Sequence, residues 1–173
     1  SLHREENVDV DENLGKLVEA LESLAGRYQY PIIFSVHPRT RKRLESGGHT
    51  LHPLVQALAP MGFLDYVHLQ KNAFCTLSDS GTIAEESSLL GFPAVTVREA
   101  HERPEGMDEG AVVMTGLCPT RITQAVEMTR QQFETLGPCR KPNDYDVDQV
   151  SWKVAKIILS YTDYINRKVW SKK

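Results

Sequence analysis

Short apolar runs alternating with helical patterns constrain this chain more than any other feature. "YPIIFSVHP" (30–38), "NAFCTL" (72–77), "PAVTVR" (93–98) and "AVVMTG" (111–116) are continuous apolar stretches a few residues long. Runs of that length without polar alternation fit strands covered on both faces, as in a parallel sheet. Between them lie segments with helical spacing. Leu14, Leu17, Val18, Leu21, Leu24 and Ala25 predict an amphipathic helix over 11–28. "RTRKRLES" predicts a short basic helix closed by Gly47 and Gly48. A helix is expected from about Thr82 to Leu90, and another over 119–135 with Pro119 in its first turn. Val147, Val150, Val154, Ile157, Ile158 and Tyr161 mark a last helix over 147–170. "GFLDYVHL" (62–69) is read as a further short strand, and "AHERPEGMDEG" and "GPCRKPNDYDVD" as loops. The expected fold class is α/β: a Rossmann-like parallel sheet with helices on both faces.

Composition narrows the function classes. With 173 residues and 25% charged residues the chain suits one domain of ordinary size. No apolar run approaches the ~20 residues of a membrane span. The opening "SLHREENVDVDENLG" is polar and acidic, unlike a signal peptide. Three widely spaced cysteines suit a reducing, cytoplasmic setting rather than a disulfide framework or a zinc site. A formal net charge of −3 argues against general nucleic-acid binding, despite the basic tail "NRKVWSKK". The charged, structured opening also reads as a domain cut from a longer chain.

In a parallel α/β fold, ligands bind beyond the carboxyl ends of the strands. Four such places arise here: after residues 1–3, at His37, at the Ser78–Thr82 turn, and after Val97. The turn opens "SDSGTIAEESSLLG" (78–91). Gly81 admits close backbone approach, Ser80 and Thr82 offer hydroxyls, and unpaired N–H groups at a helix start favour phosphate. The same residues suit a plain helix cap equally well. Glu85 and Glu86 point about 100° apart on a helix, so one of them can face a ligand. A carboxylate there accepts hydrogen bonds from a vicinal diol such as ribose, or simply favours the helix dipole. Arg103 suits phosphate oxygens or a surface ion pair. His3 and His37 both follow strand-like segments, and Asn143 and Tyr145 lie in the loop before the last helix. Arg4, beside Glu5 and Glu6, is read as a solvated charged loop, and Arg39–Arg43 as a solvated basic face.

Together, "HREEN" (3–7), "VHP" (36–38), "SDSGTIAEE" (78–86), "LGFP" (90–93) and "HERPE" (101–105) resemble the non-hydrolysing UDP-N-acetylglucosamine 2-epimerases in order and spacing. The resemblance spans nearly the whole chain. It implies one half of a two-domain GT-B enzyme, with residues 1–173 as the carboxy-terminal, UDP-binding domain and the last helix facing an amino-terminal domain. It implies that Ser80, Gly81 and Thr82 meet the diphosphate, that Glu86 holds the ribose hydroxyls, and that Arg103 lies near the phosphates. His3 falls at the catalytic histidine of the family, and His37 at a strand-end histidine; Glu85 is left a structural role. The implied reaction needs neither nicotinamide nor metal: UDP leaves with the C2 proton, and both return to a 2-acetamidoglycal. The acids that handle the C2 proton belong to the other half. Glu5 stands where a second arginine is usual, and Thr82 where a second glycine is usual. These departures bear on whether the sugar is UDP-GlcNAc/UDP-ManNAc or a UDP-2-acetamido-6-deoxyhexose. The family context implies a cytoplasmic homodimer making bacterial polysaccharide precursors. A GT-B glycosyltransferase half and a non-catalytic UDP-sugar module remain alternatives.

Overall fold

A computed structural model describes residues 1–172. The element order begins α1 (Glu5–Val8), α2 (Asp11–Tyr28), β1 (Ile32–Ser35), α3 (Pro38–Ser46) and β2 (Val55–Leu58). It continues with α4 (Phe63–Asn72), β3 (Thr76–Ser78), α5 (Ile83–Leu90), β4 (Ala94–Thr96), α6 (Pro104–Asp108) and β5 (Val112–Met114). Two long helices follow, α7 (Pro119–Leu136) and α8 (Val150–Lys168). The chain divides into two compact units, Ser1–Pro142 and Asn143–Lys173.

Every strand pair is parallel, in two pieces: β1 with β2, and β3 with β4 with β5. β4 is central in its piece and buried along its whole length. Side chains alternate across a strand, and here the alternation sorts the core. Val95 and Val97 join the apolar cluster built on α2 and α7, around Leu14, Leu17, Leu24, Ile122 and Val126. Ala94 joins the opposite cluster with Ile83 and Ala84 of α5, Phe92 and Val112. Helices therefore cover both faces, as the apolar runs require. The stripe on α2 is the one its spacing predicts, and each buried leucine contributes ~1.5–3 kcal/mol relative to exposure.

Three elements depart from the sequence reading. The strand expected over 62–69 is helix α4. Phe63 and Leu64 stand in solvent, while Tyr66 and Gln70, one helical turn apart, face inward. Strand β2 was not foreseen; it is an edge strand burying only Val55 fully, so its sequence "VQAL" carries little apolar signal. The expected loop 100–110 contains the short helix α6, started by Pro104 in its first turn.

In the second unit, α8 presents Trp152, Val154, Ile157, Ile158 and Tyr161 to solvent and buries no residue. It starts three residues after Val147, where the predicted helix began. The cysteines are unpaired, and burial pushes the Cys75 thiol up to about 12.

Candidate functional site

The turn between β3 and α5 is tied together by its own small side chains. Ser80 N–H donates to Ser78 Oγ at 3.0 Å, and Thr82 N–H donates to Ser80 Oγ at 3.3 Å. Ser80 Oγ and Thr82 Oγ1 share a hydrogen bond at 2.9 Å. Thr82 Oγ1 then donates to Glu86 Oε1 at 2.5 Å, one turn along α5. The other oxygen of Glu86 accepts from Gln70 Nε2 of α4 at 2.7 Å. The two glutamates separate as the 100° rule requires. Glu85 turns the other way and pairs with Arg103 Nε at 2.9 Å.

Arginines converge on Gly81. Arg103 Nη1 donates to Gly81 O at 3.0 Å. A Cβ at position 81 would lie 2.9 Å from Arg103 Nη1 and 3.4 Å from Arg98 Nη1, so only glycine lets both guanidiniums come this near. Arg98 is buried and donates to Glu102 Oε1 at 2.9 Å. That hydrogen bond, with the Arg98 charge behind it, holds the Glu102 carboxyl below the usual carboxylate range. Arg103 is the N-cap residue of α6, and α6 is seated by another close approach. A Cβ on Gly106 would lie 2.8 Å from Ala84 Cβ on α5.

Asp79 joins the turn to the "HREEN" loop. Its carboxylate is fully buried and accepts from Arg4 N–H at 2.9 Å, from Asn7 Nδ2 at 3.0 Å and from His3 N–H at 3.1 Å. His3 Nδ1 stands 3.0 Å from Asp79 Oδ1. A carboxylate only accepts, so His3 presents Nδ1–H to it and leaves Nε2 for other partners. Arg4 is no free surface charge, contrary to the sequence reading: its Nε donates to Asp79 O at 3.0 Å. A backbone acceptor and a half-buried position hold it at the turn.

Ser80, Gly81, Thr82, Glu86 and Arg103 thus occur in one place, with His3 attached through Asp79. His37 lies at the end of β1, exposed, where its Nδ1 accepts from Arg39 N–H at 3.4 Å as the N-cap of α3. Arg39 itself bridges to Glu5 and Asp9 beside α1. Sequence reasoning missed Asp79, Arg98, Gln70 and Gly106 as site components. Asp79 and Arg98 did carry a signal: each is a charged residue at the end of a buried strand, where desolvation demands partners. Gln70 and Gly106 carried none, because their partners lie on other elements.

A parallel sheet with this turn and these convergent arginines at its carboxyl ends defines a Rossmann-like α/β protein, one half of the GT-B arrangement. The chain belongs to the UDP-N-acetylglucosamine 2-epimerase family, whose model matches residues 1–159. It is similar to a UDP-N-acetylglucosamine 2-epimerase of Methanococcus maripaludis, 39% identical over 132 residues, covering 73% of this chain and 36% of the relative. Its structure resembles that of a UDP-N-acetylglucosamine 2-epimerase from Rickettsia bellii, with 43% identity and a TM-score of 0.81, over 99% of this chain and 46% of the other. It also resembles the Methanocaldococcus jannaschii UDP-GlcNAc 2-epimerase solved in complex with UDP-GlcNAc and UDP. There the identity is 32% and the TM-score 0.81, over 92% of this chain and 44% of the other. The chain thus spans less than half the length of these relatives.

Proposed function

We propose that residues 1–142 are the UDP-binding part of a UDP-N-acetylglucosamine 2-epimerase, completed by a further domain of the same polypeptide. The observation that carries this reading is the placement of Arg98 and Arg103 over Gly81 at a serine-rich turn, with Glu86 one helical turn away. Ser80, Gly81, Thr82 and Arg103 receive the diphosphate, since the Gly81 N–H and the Arg103 nitrogen not held by Glu85 or Gly81 suit its oxygens. Arg98 joins them. Glu86 receives the ribose diol. A carboxylate has about four acceptor sites, and Thr82 and Gln70 leave room on it for two sugar hydroxyls.

In the reaction, the C2 proton is removed and the C1–O bond to UDP breaks, leaving a 2-acetamidoglycal. UDP oxygen then bonds C1 again and a proton reaches C2 from the opposite face. Atoms balance and no oxidant is consumed. The task of this part is to hold and stabilise the departing diphosphate, whose charge grows as the bond breaks. His3, aimed by Asp79, is the residue here that exchanges a proton near the leaving oxygen. His37 lies at a neighbouring strand end and lines the approach. The full-length enzyme acts as a cytoplasmic homodimer in polysaccharide precursor synthesis, on UDP-GlcNAc or a 6-deoxy relative, and α8 faces its amino-terminal domain.

Calorimetry of UDP into the chain tests the cradle. Binding is expected, and Arg103→Ala or Glu86→Ala should each weaken it by ~1–3 kcal/mol, the worth of a lost charged hydrogen bond. Unchanged affinity in both variants would reject the assignment. Turnover of the full-length protein in D₂O tests the chemistry: deuterium should enter C2 with no acceptor present. A glycosyltransferase or a binding module would leave C2 unlabelled.

A further inference from the structure

Glu86 is held at both of its oxygens by donors from two different elements. Thr82 Oγ1, at the N-cap of α5, donates to Oε1 at 2.5 Å. Gln70 Nε2, in the last turn of α4, donates to Oε2 at 2.7 Å. The last torsion of a glutamate is broad and roughly two-fold, so rotamer preference alone does not set the plane of its carboxylate. One donor would leave that plane free to swing about the bonded oxygen. Two donors, one on each oxygen, fix it.

The direction of each bond is forced by chemistry. An ionised carboxylate only accepts, so Gln70 turns its nitrogen and not its oxygen to Glu86. Gln70 is 3% exposed, and burial keeps water from competing for that bond. Thr82 carries a single O–H, which Glu86 takes. In the 2.9 Å contact between Ser80 Oγ and Thr82 Oγ1, Ser80 is therefore the donor. The hydroxyl protons run one way, from Ser80 to Thr82 to Glu86. Thr82 stands in the capping position, yet its side chain makes no cap bond to α5. Its hydroxyl is spent on the carboxylate. Charge separates the two glutamates further. Glu85 pairs with Arg103, whereas Thr82 and Gln70 are neutral. Neutral donors orient Glu86 without neutralising it, and hydrogen bonds to a charged acceptor are about twice as strong as neutral ones. Of about four acceptor sites on the carboxylate, each oxygen keeps one.

We propose that Gln70 and Thr82 are positioning residues that clamp the Glu86 carboxylate, so that its two remaining acceptor sites meet the 2′- and 3′-hydroxyls of a ribose together. The clamp makes the site selective for ribonucleoside over 2′-deoxyribonucleoside diphosphates. A vicinal diol presents two donors at fixed spacing, and a carboxylate already fixed in plane accepts both without a further ordering cost. A deoxyribose leaves one acceptor site of a half-buried charge unmet. The clamp rests on Glu86 being the ribose acceptor of the proposed UDP site.

The test is calorimetry of UDP and of 2′-deoxy-UDP into the full-length protein. Both ligands carry the same diphosphate and base, so the ratio of their dissociation constants isolates the 2′-hydroxyl. Wild type should prefer UDP by ~10-fold or more, the worth of one hydrogen bond to a charged group. Gln70→Met keeps the length and loses the amide; Thr82→Val keeps the shape and loses the hydroxyl. Each should cut the preference to ~3-fold or less, as the carboxylate plane loosens. Thr82→Ser, which restores the hydroxyl, should keep it. The two positions lie on different elements, so one variant decides if the other fails to fold. A role confined to tying α4 to α5 would weaken both ligands equally, and an unchanged ratio in the folded variants would overturn the proposal. Glu86→Ala separates the clamp from the assignment beneath it. If Glu86→Ala abolishes the preference while Gln70→Met and Thr82→Val retain it, the ribose site stands and the clamp is wrong. If wild type shows no preference, or Glu86→Ala keeps it, the ribose assignment itself fails and the clamp falls with it.

Discussion

Asp79 concentrates the site's dependence on a single side chain. A buried carboxylate survives only if its acceptor sites are filled, and here backbone, amide and imidazole donors fill them. Asp79→Ala leaves the Asn7 amide and the Arg4 and His3 N–H groups without their acceptor. The expected loss is ~2–4 kcal/mol of folding stability by urea titration, since each buried donor left unmet costs about 1–3 kcal/mol. A structural role alone predicts only that loss. The aiming role predicts more: nitrogen NMR of the wild-type imidazole should find the proton on Nδ1, and in folded Asp79→Asn that preference should fall. An Nε2-protonated ring in the wild type would remove His3 from the role given to it. The sequence named His3, Glu86 and Arg103 because each stands in a legible place, at a strand end or in the first turns after one. It left Asp79 unremarked inside "SDSG", since nothing local says that its donors come from residues more than seventy positions away.

Elements were legible where apolar residues keep a helical period or an unbroken run, and illegible where neither pattern is clean. The stripe of α2 declares itself by period, and the fully buried β4 by its unbroken apolar run. α4 was misread because Phe63 and Leu64 are apolar yet exposed, which blurs its period into a strand-like run. The meeting of α5 and α6 was invisible because it depends on Gly106 and Ala84, residues on different elements. That meeting governs Arg103, the residue just ahead of α6. Gly106→Ala should push α6 away from α5, destabilise the chain by ~1–3 kcal/mol through overpacking, and weaken UDP binding as Arg103 moves. Ala84→Gly in the same chain should restore much of the lost affinity by making room, at a small helix-propensity cost. A double-mutant cycle on UDP affinity measures this coupling. Additive losses would mean that the contact does not position Arg103.

At the scale of the whole molecule, alternation announced a parallel α/β fold, but strand order and the break in the sheet were out of reach. Both depend on which edges meet, and edge pairing leaves no periodic mark on the sequence. Charge is also distributed in a way that composition hides. The chain carries a formal net charge of −3, so at long range it does not attract an anion. Arg4, Arg98 and Arg103 nevertheless gather around one turn, and charges act with little screening only over ~8 Å at physiological salt. In the proposed site, attraction for a diphosphate is therefore local. Raising salt from about 50 to 500 mM should weaken UDP binding by roughly 3- to 10-fold, as screening shortens the reach of those guanidiniums. Uridine, which keeps the ribose diol but lacks phosphate, should bind far more weakly and respond little to salt. Its residual binding should still require Glu86. If uridine and UDP bind alike, and alike across salt, the arginines serve only their ion pairs and the turn at Gly81 holds no phosphate.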